Sequence, residues 1–234
     1  MKKGILAFIM FFVMTSASFA DSNVYITQSG AGLDLDITLD GNGNAVGASN
    51  DRTLLTGANL DVDIDLIGAT NTITGDFIGA GESGSDDLKI SQTGSTNTTA
   101  LNVGASAATD DVKIIETRVG SSGATSYIIG SSATVQDVSV TVDVIGDDID
   151  IALTENSSSS GSDKTTDIDI GTDSDDVDIV ITHSGAGAHK TKLLCTGSCA
   201  GSDFTMSQTG ANSTDVDLTV TNATASDVDI TITD

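Results

Sequence analysis

The feature that most restricts what this chain can fold into is a two-residue alternation that keeps returning. Leu60, Val62, Ile64 and Leu66 alternate with Asp61, Asp63 and Asp65, and Val228, Ile230 and Ile232 alternate with Asp227, Asp229 and Thr231. Val177, Ile179 and Ile181 do the same against Asp176, Asp178 and Thr182. Successive side chains of a strand point to opposite faces, so each run sets a thin stripe of Val, Ile and Leu against a face of Asp, Thr and Ser. No window carries an i, i+3, i+4, i+7 apolar stripe and β-branched residues dominate the runs, which excludes helix.

The runs recur about every 13 residues between Gly-, Ser- and Asn-containing turns, and pairs of them make units of about 25 residues. Ser22 to Leu39 is the type unit: two alternating runs, Asn23 to Gln28 and Leu33 to Leu39, flank a Ser29-Gly30-Ala31-Gly32 turn. Roughly sixteen runs, or eight two-strand units, fit in residues 21–234 as a single array without a linker. One thin stripe cannot make a core alone, so each unit must stack on its neighbours. The expected fold is all-β, a repeat β-solenoid of strand–turn–strand rungs. A twisted sandwich is the competing arrangement, and the even spacing favours the coil. The Ser/Gly-rich stretches Gly79 to Asp87 and Ser157 to Asp163 read as loops bulging from one edge.

Lys2 and Lys3, an apolar run from Ile5 to Met14 and the small residues ending Ser18-Phe19-Ala20 form a bacterial export signal, with cleavage expected after Ala20. No later stretch approaches the 18 apolar residues of a membrane-spanning helix. Loss of Lys2 and Lys3 takes the formal charge from −25 to −27, and 31 of the 34 acidic residues are aspartate. Such a surface excludes ordinary nucleic-acid binding. A chain of 3% aromatic residues without Trp also lacks the girdles of a membrane β-barrel. The absence of proline suits a backbone whose N–H groups are nearly all hydrogen-bonded.

Ser22 is followed by Gln28, Gly30 and Gly32, then by Leu35, Ile37 and Leu39 at alternate positions. Ser202 is likewise followed by Gln208 and Gly210, and a middle copy carries Gln92, Gly94 and Asn97. A fourth copy places His183 at the glutamine position before Gly185 and Gly187. This pattern resembles the curlin repeat, Ser-x5-Gln-x-Gly-x-Gly-Asn-x-Ala-x-Val-x-Gln, of secreted curli fibre subunits. The resemblance implies strand–loop–strand rungs that polymerise end to end as a functional amyloid outside a Gram-negative cell. It also implies passage through export machinery and an outer-membrane secretion pore, and a stacking ladder at Gln28, Gln92, Asn97 and Gln208 with Gly30, Gly94 and Gly210 at the bends. The second glutamine of the repeat is replaced by Leu39 and Val103.

Aspartates one rung apart repel by about 1 kcal/mol per pair in water at 5 Å, which works against close stacking. Lys89, Lys113, Lys190 and Lys192 can offset a few, and protons or divalent cations others. Calcium is the candidate ion, and Asp40, Asn42, Asn44 and Asp51 are the candidate ligands by the spacing of an oxygen-ligand loop. An Asn/Gly turn explains the same residues without a metal. Cys195 and Cys199, with three residues between them in an exported chain, are expected to form a disulfide across a turn. Gly197-Ser198-Cys199-Ala200-Gly201 has the outline of a nucleophile elbow, but His183 and His189 precede it, and no catalytic residue is assigned. Two functions compete: a structural subunit of an extracellular fibre in adhesion or biofilm matrix, and a monomeric, cation-stabilised acidic solenoid acting as an adhesin or surface-layer component.

Overall fold

A computed structural model describes residues 12–13, 22–47, 52–78, 86–104, 112–130, 137–156, 163–171, 174, 176–196, 199–210, 213–221 and 227–233. In chain order the strands are β1 (Phe12–Val13), β2 (Ser22–Val24), β3 (Thr27–Ser29), β4 (Asp34–Asp40), β5 (Gly43–Val46), β6 (Thr53–Thr56) and β7 (Asp61–Ile67). They continue with β8 (Thr70–Ile78), β9 (Asp86–Thr93), β10 (Thr96–Val103), β11 (Val112–Val119), β12 (Ser122–Ile129), β13 (Val138–Ile145) and β14 (Ile149–Asn156). The last are β15 (Lys164–Ile170), β16 (Val177–Ser184), β17 (Ala188–Cys195), β18 (Asp203–Thr209), β19 (Ser213–Val220) and β20 (Asp227–Thr233). The described residues contain no helix. Of the two expected loops, residues 79–85 and 157–162 lie outside the described residues, whereas Asp86 and Asp87 already belong to β9.

Consecutive strands do not pair as hairpins. They alternate between two parallel sheets: a nine-stranded sheet 1 in the order β1-β4-β7-β9-β11-β13-β15-β17-β19 and an eleven-stranded sheet 2 built on β2-β5-β8-β10-β12-β14-β16-β18-β20. The chain is a β-solenoid. β3 and β6 complete the interrupted first two levels of sheet 2. Register fixes the repeat: Leu88 pairs with Ile114, Ile114 with Val140 and Val140 with Thr166, each a step of 26. A whole-number step keeps inward residues stacked on inward residues and so builds continuous side-chain columns.

The core is the pair of inward faces. Along β4 the burial alternates strictly, with Leu35, Ile37 and Leu39 inside and Asp34, Asp36, Thr38 and Asp40 outside. The corner from sheet 1 to sheet 2 is a column of glycines because successive backbones pass too close for a side chain. A Cβ on Gly94 would lie 1.9 Å from the Gly68 oxygen, and one on Gly120 2.2 Å from the Gly94 oxygen.

Candidate functional site

Beside the glycine corner, asparagine makes the amide ladder. Asn44 Nδ2 donates to Asn71 Oδ1 at 3.0 Å and Asn71 Nδ2 to Asn97 Oδ1 at 2.9 Å. The same amides donate to the Ile67, Thr93 and Val119 carbonyls at 3.0, 3.1 and 3.2 Å, so each asparagine ties its own rung to the corner of the next. The ladder stops at Gly123, whose missing side chain leaves room for Arg118: a Cβ there would lie 3.1 Å from Arg118 Cζ.

Of the glutamines, Gln28 and Gln208 fall in one sheet 2 column, which runs through Val103, Glu155 and His183 and ends at Ile232. His183 stacks directly on Gln208, as the fourth repeat copy places it. Gln92 belongs to sheet 1, between Leu66 and Arg118, half a rung out of phase with the other two. No two of the three are neighbours along a sheet. Gly30 and Gly210 take the left-handed region with φ of 148° and 76°, and Gly94 belongs to the close-packed corner.

Two polar plugs interrupt the apolar interior. In the first, Glu116 accepts from Thr99 at 2.9 Å, from Thr125 at 3.0 Å and from the Tyr127 hydroxyl at 2.9 Å, while Arg118 donates to Thr125 at 2.8 Å. Burial and then the Glu116 charge push the Tyr127 phenol well up, and burial pulls Arg118 down. In the second, His183 Nε2 lies 3.2 Å from Glu155 Oε2 and 3.1 Å from Thr166, and the Lys164 ammonium lies 3.3 Å from His189 Nε2. Gln208 Nε2 sits 3.4 Å from His183 Nδ1 and donates to Thr191 at 3.1 Å. A donor on Nδ1 and a carboxyl at Nε2 suit neutral His183 protonated on Nε2. Burial is the leading cause of each shift here: Glu155 rises to about 8, His183 falls to about 3, and His189 and Lys164 are lowered. All four side chains are sealed from solvent, so the plug binds rung to rung rather than reaching a substrate.

Sequence reasoning passed over both plugs. The signal was the phase of the alternation: Val112 and Ile114 point inward, so Glu116 and Arg118 two and four residues later must as well, and Ile151 and Leu153 fix Glu155 in the same way.

Outside, aspartates stack in register. Asp150, Asp178, Asp203 and Asp227 form one column, and Asp34, Asp61 and Asp87 another. Desolvation and then Asp203 raise Asp178, and desolvation and then Asp169 raise Asp143. Lysines answer some of these: Lys89 reaches Asp63 at 3.2 Å, and Lys192 reaches Asp167 and Asp169 at 2.9 and 3.1 Å, with its ammonium pushed up to about 12 by those hydrogen bonds. Of the candidate calcium ligands, Asp40 is exposed on the outer face, Asn42 is exposed at the corner, and Asn44 is buried in the amide ladder; Asp51 lies outside the described residues. Asp40 and Asn44 therefore do not converge. Among the described residues no group of three or more His, Cys, Asp or Glu is placed to hold a metal ion. Cys195 and Cys199 are joined in a disulfide, both fully buried.

The two ends of the stack differ from its middle. At the C-terminal end Val228, Ile230 and Ile232 of β20 are 42–48% exposed, and among the described residues β20 pairs with β18 alone. At the N-terminal end a cavity of about 450 Å3 opens between β2–β3 and β4. No family model, curated protein or solved structure matches this chain.

Proposed function

We propose that the protein is an extracellular structural subunit that self-associates end to end into a curli-like fibre, exported from a Gram-negative cell and serving adhesion or a biofilm matrix. The observation that carries this reading is the open edge of β20, which among the described residues pairs with β18 alone. An edge strand with free N–H and C=O groups and three exposed apolar side chains is a template for another chain, and native proteins ordinarily blunt such edges.

Register supports the same reading on sheet 2. The column that begins at Val24 ends at Val228, the one from Thr27 ends at Thr231, and the one from Asn23 ends at Asp227. A second copy placed on β20 through its β2 and β3 sets valine on valine and threonine on threonine, and opposes Asp227 with a neutral amide. The test is fibre growth of the purified protein, seen by electron microscopy and light scattering, against Val228→Asp/Ile230→Asp. The double variant is expected to keep its β spectrum and lose elongation. The competing reading, a monomeric cation-stabilised adhesin, draws on the in-register aspartate column; a calcium-compacted monomer that never forms fibres would replace the fibre reading with it.

A further inference from the structure

The N-terminal end is a groove rather than a flat end. β2 and β3 stand one level beyond β5 and β6 on sheet 2, and among the described residues the corresponding place on sheet 1, beside β4, is held only by β1. β1 pairs with just two of the seven β4 residues, Phe12 with Ile37 and Val13 with Thr38. Among the described residues the rest is a place one strand wide, with a backbone edge on one side and side chains of sheet 2 on the other. Its floor and wall are Val24, Ile26, Leu33, Leu35, Ile37 and Leu39, around the cavity of about 450 Å3. Among the described residues β20 has no such wall, so the two ends are not equivalent.

The rim of the groove carries one sign of charge. Asp34, Asp36 and Asp40 point outward from β4, and behind Asp34 and Asp36 stand Asp61 and Asp63 rather than lysines. Elsewhere the molecule answers such aspartates from the adjacent strand, as Lys89 does for Asp63 and Lys192 for Asp167. A strand laid on β4 with apolar residues inward and Lys or Arg outward would repeat that arrangement.

We propose that the edge of β4 is a binding site for one extended peptide segment, running parallel to β4, apolar at alternate positions and basic at the others. Backbone hydrogen bonds supply the attachment, the cavity takes the apolar side chains, and the aspartates select the basic ones. The existing β1 pairing shows that the edge accepts a parallel strand; β1 competes for it in the uncleaved chain, and the cleavage expected after Ala20 removes that competitor. Binding at this edge does not depend on fibre formation.

The test uses the full chain and fluorescent strand-length peptides: alternating Val/Lys, alternating Val/Asp, and a blocked sequence with the Val/Lys composition. Replacing Phe12 and Val13 by proline removes the N–H groups β1 needs, and should tighten alternating Val/Lys binding by about tenfold as the competing strand is lost. Asp34→Lys/Asp36→Lys in the otherwise unaltered chain should reverse the preference to the Val/Asp peptide, with the β spectrum unchanged. Hydrogen exchange should slow at β4 amides and not at β20. Equal binding of the blocked peptide means diffuse attraction to an acidic surface, and overturns the proposal. So does protection at β20, a preference untouched by Asp34→Lys/Asp36→Lys, or binding lost as protein concentration rises, which would give the groove to a second copy. Fibre growth scored separately distinguishes these outcomes from failure of the fibre reading.

Discussion

Glu155 is held without its charge by the environment the rungs build around it: full burial outweighs Lys164 and Thr166, and the carboxyl rises from 4.5 to about 8. A carboxyl raised in the folded chain keeps a proton that the unfolded chain has released, so its contribution is complete below pH 4.5 and lost as pH climbs through 8. Glutamine has no such proton to lose. Glu155→Gln is therefore expected to gain on the wild type by on the order of 4 kcal/mol between pH 5 and 9, read by urea unfolding at both ends; parallel pH curves would reject the account. Glycine substitution makes a second contrast at this scale. At Gly94 an added Cβ meets the Gly68 backbone at 1.9 Å, whereas at Gly32 it meets nothing and only the φ of 74° is strained. Gly32→Ala should cost about 1 kcal/mol, and Gly94→Ala several times that, since two rungs must separate. Thermal unfolding of the two variants decides it.

The element that folds and stacks is the rung, and its step of 26 residues dictates what can be removed. Deleting residues 112–137 brings Val138 to the place of Val112 and restores every column, while deleting residues 112–124 puts a sheet 2 strand where a sheet 1 strand belongs. The first deletion variant should keep its β spectrum and cooperative unfolding, and the second should lose both, because contacts run between nearest neighbours. Equal damage would argue against the stack. The strands and their inward faces were legible in the sequence because period-two alternation is a local signal: Leu60 to Leu66 and Val177 to Ile181 lie where the pattern puts them. Alternation is blind to what a residue stacks on. Nothing local distinguishes Gln92, in sheet 1, from Gln208, in sheet 2, or reveals that Asn44, Asn71 and Asn97 rather than the glutamines form the ladder. The charged plugs were hidden for another reason: Glu116 and Arg118 occupy the inward phase, but residue type alone assigns them to the surface, and burial becomes tolerable only through partners contributed by β10 and β12.

Across the whole molecule, inner and outer titrations oppose one another, and the pH profile of stability follows from their sum. Glu155, Asp86 at the inward phase of β9, and the outward carboxyls Asp143 and Asp178 are raised on folding, so each favours the folded chain as pH falls. His183 and His189 are lowered from 6.5, chiefly by burial, and His183 to about 3. Neutral in the fold but protonated when unfolded, they withdraw stability as pH falls below 6.5. Lys164, lowered from 10.5, withholds a proton on the alkaline side in the same way. From pH 8 to 6.5 Glu155 acts with no opposition from histidine and stability should rise; below 6.5 the histidines cancel that gain and the curve should flatten. His183→Gln repeats the side chain that Gln208 places one rung on in the same column, and removes one titrating group without removing a hydrogen-bonding amide. Its melting temperature should therefore continue to rise from pH 6.5 toward 4.5 where the wild type levels off, with the two curves parallel above pH 7. Melting curves that stay parallel across the whole range would mean that folding leaves the proton affinity of His183 at its unfolded value, and would overturn the buried neutral imidazole.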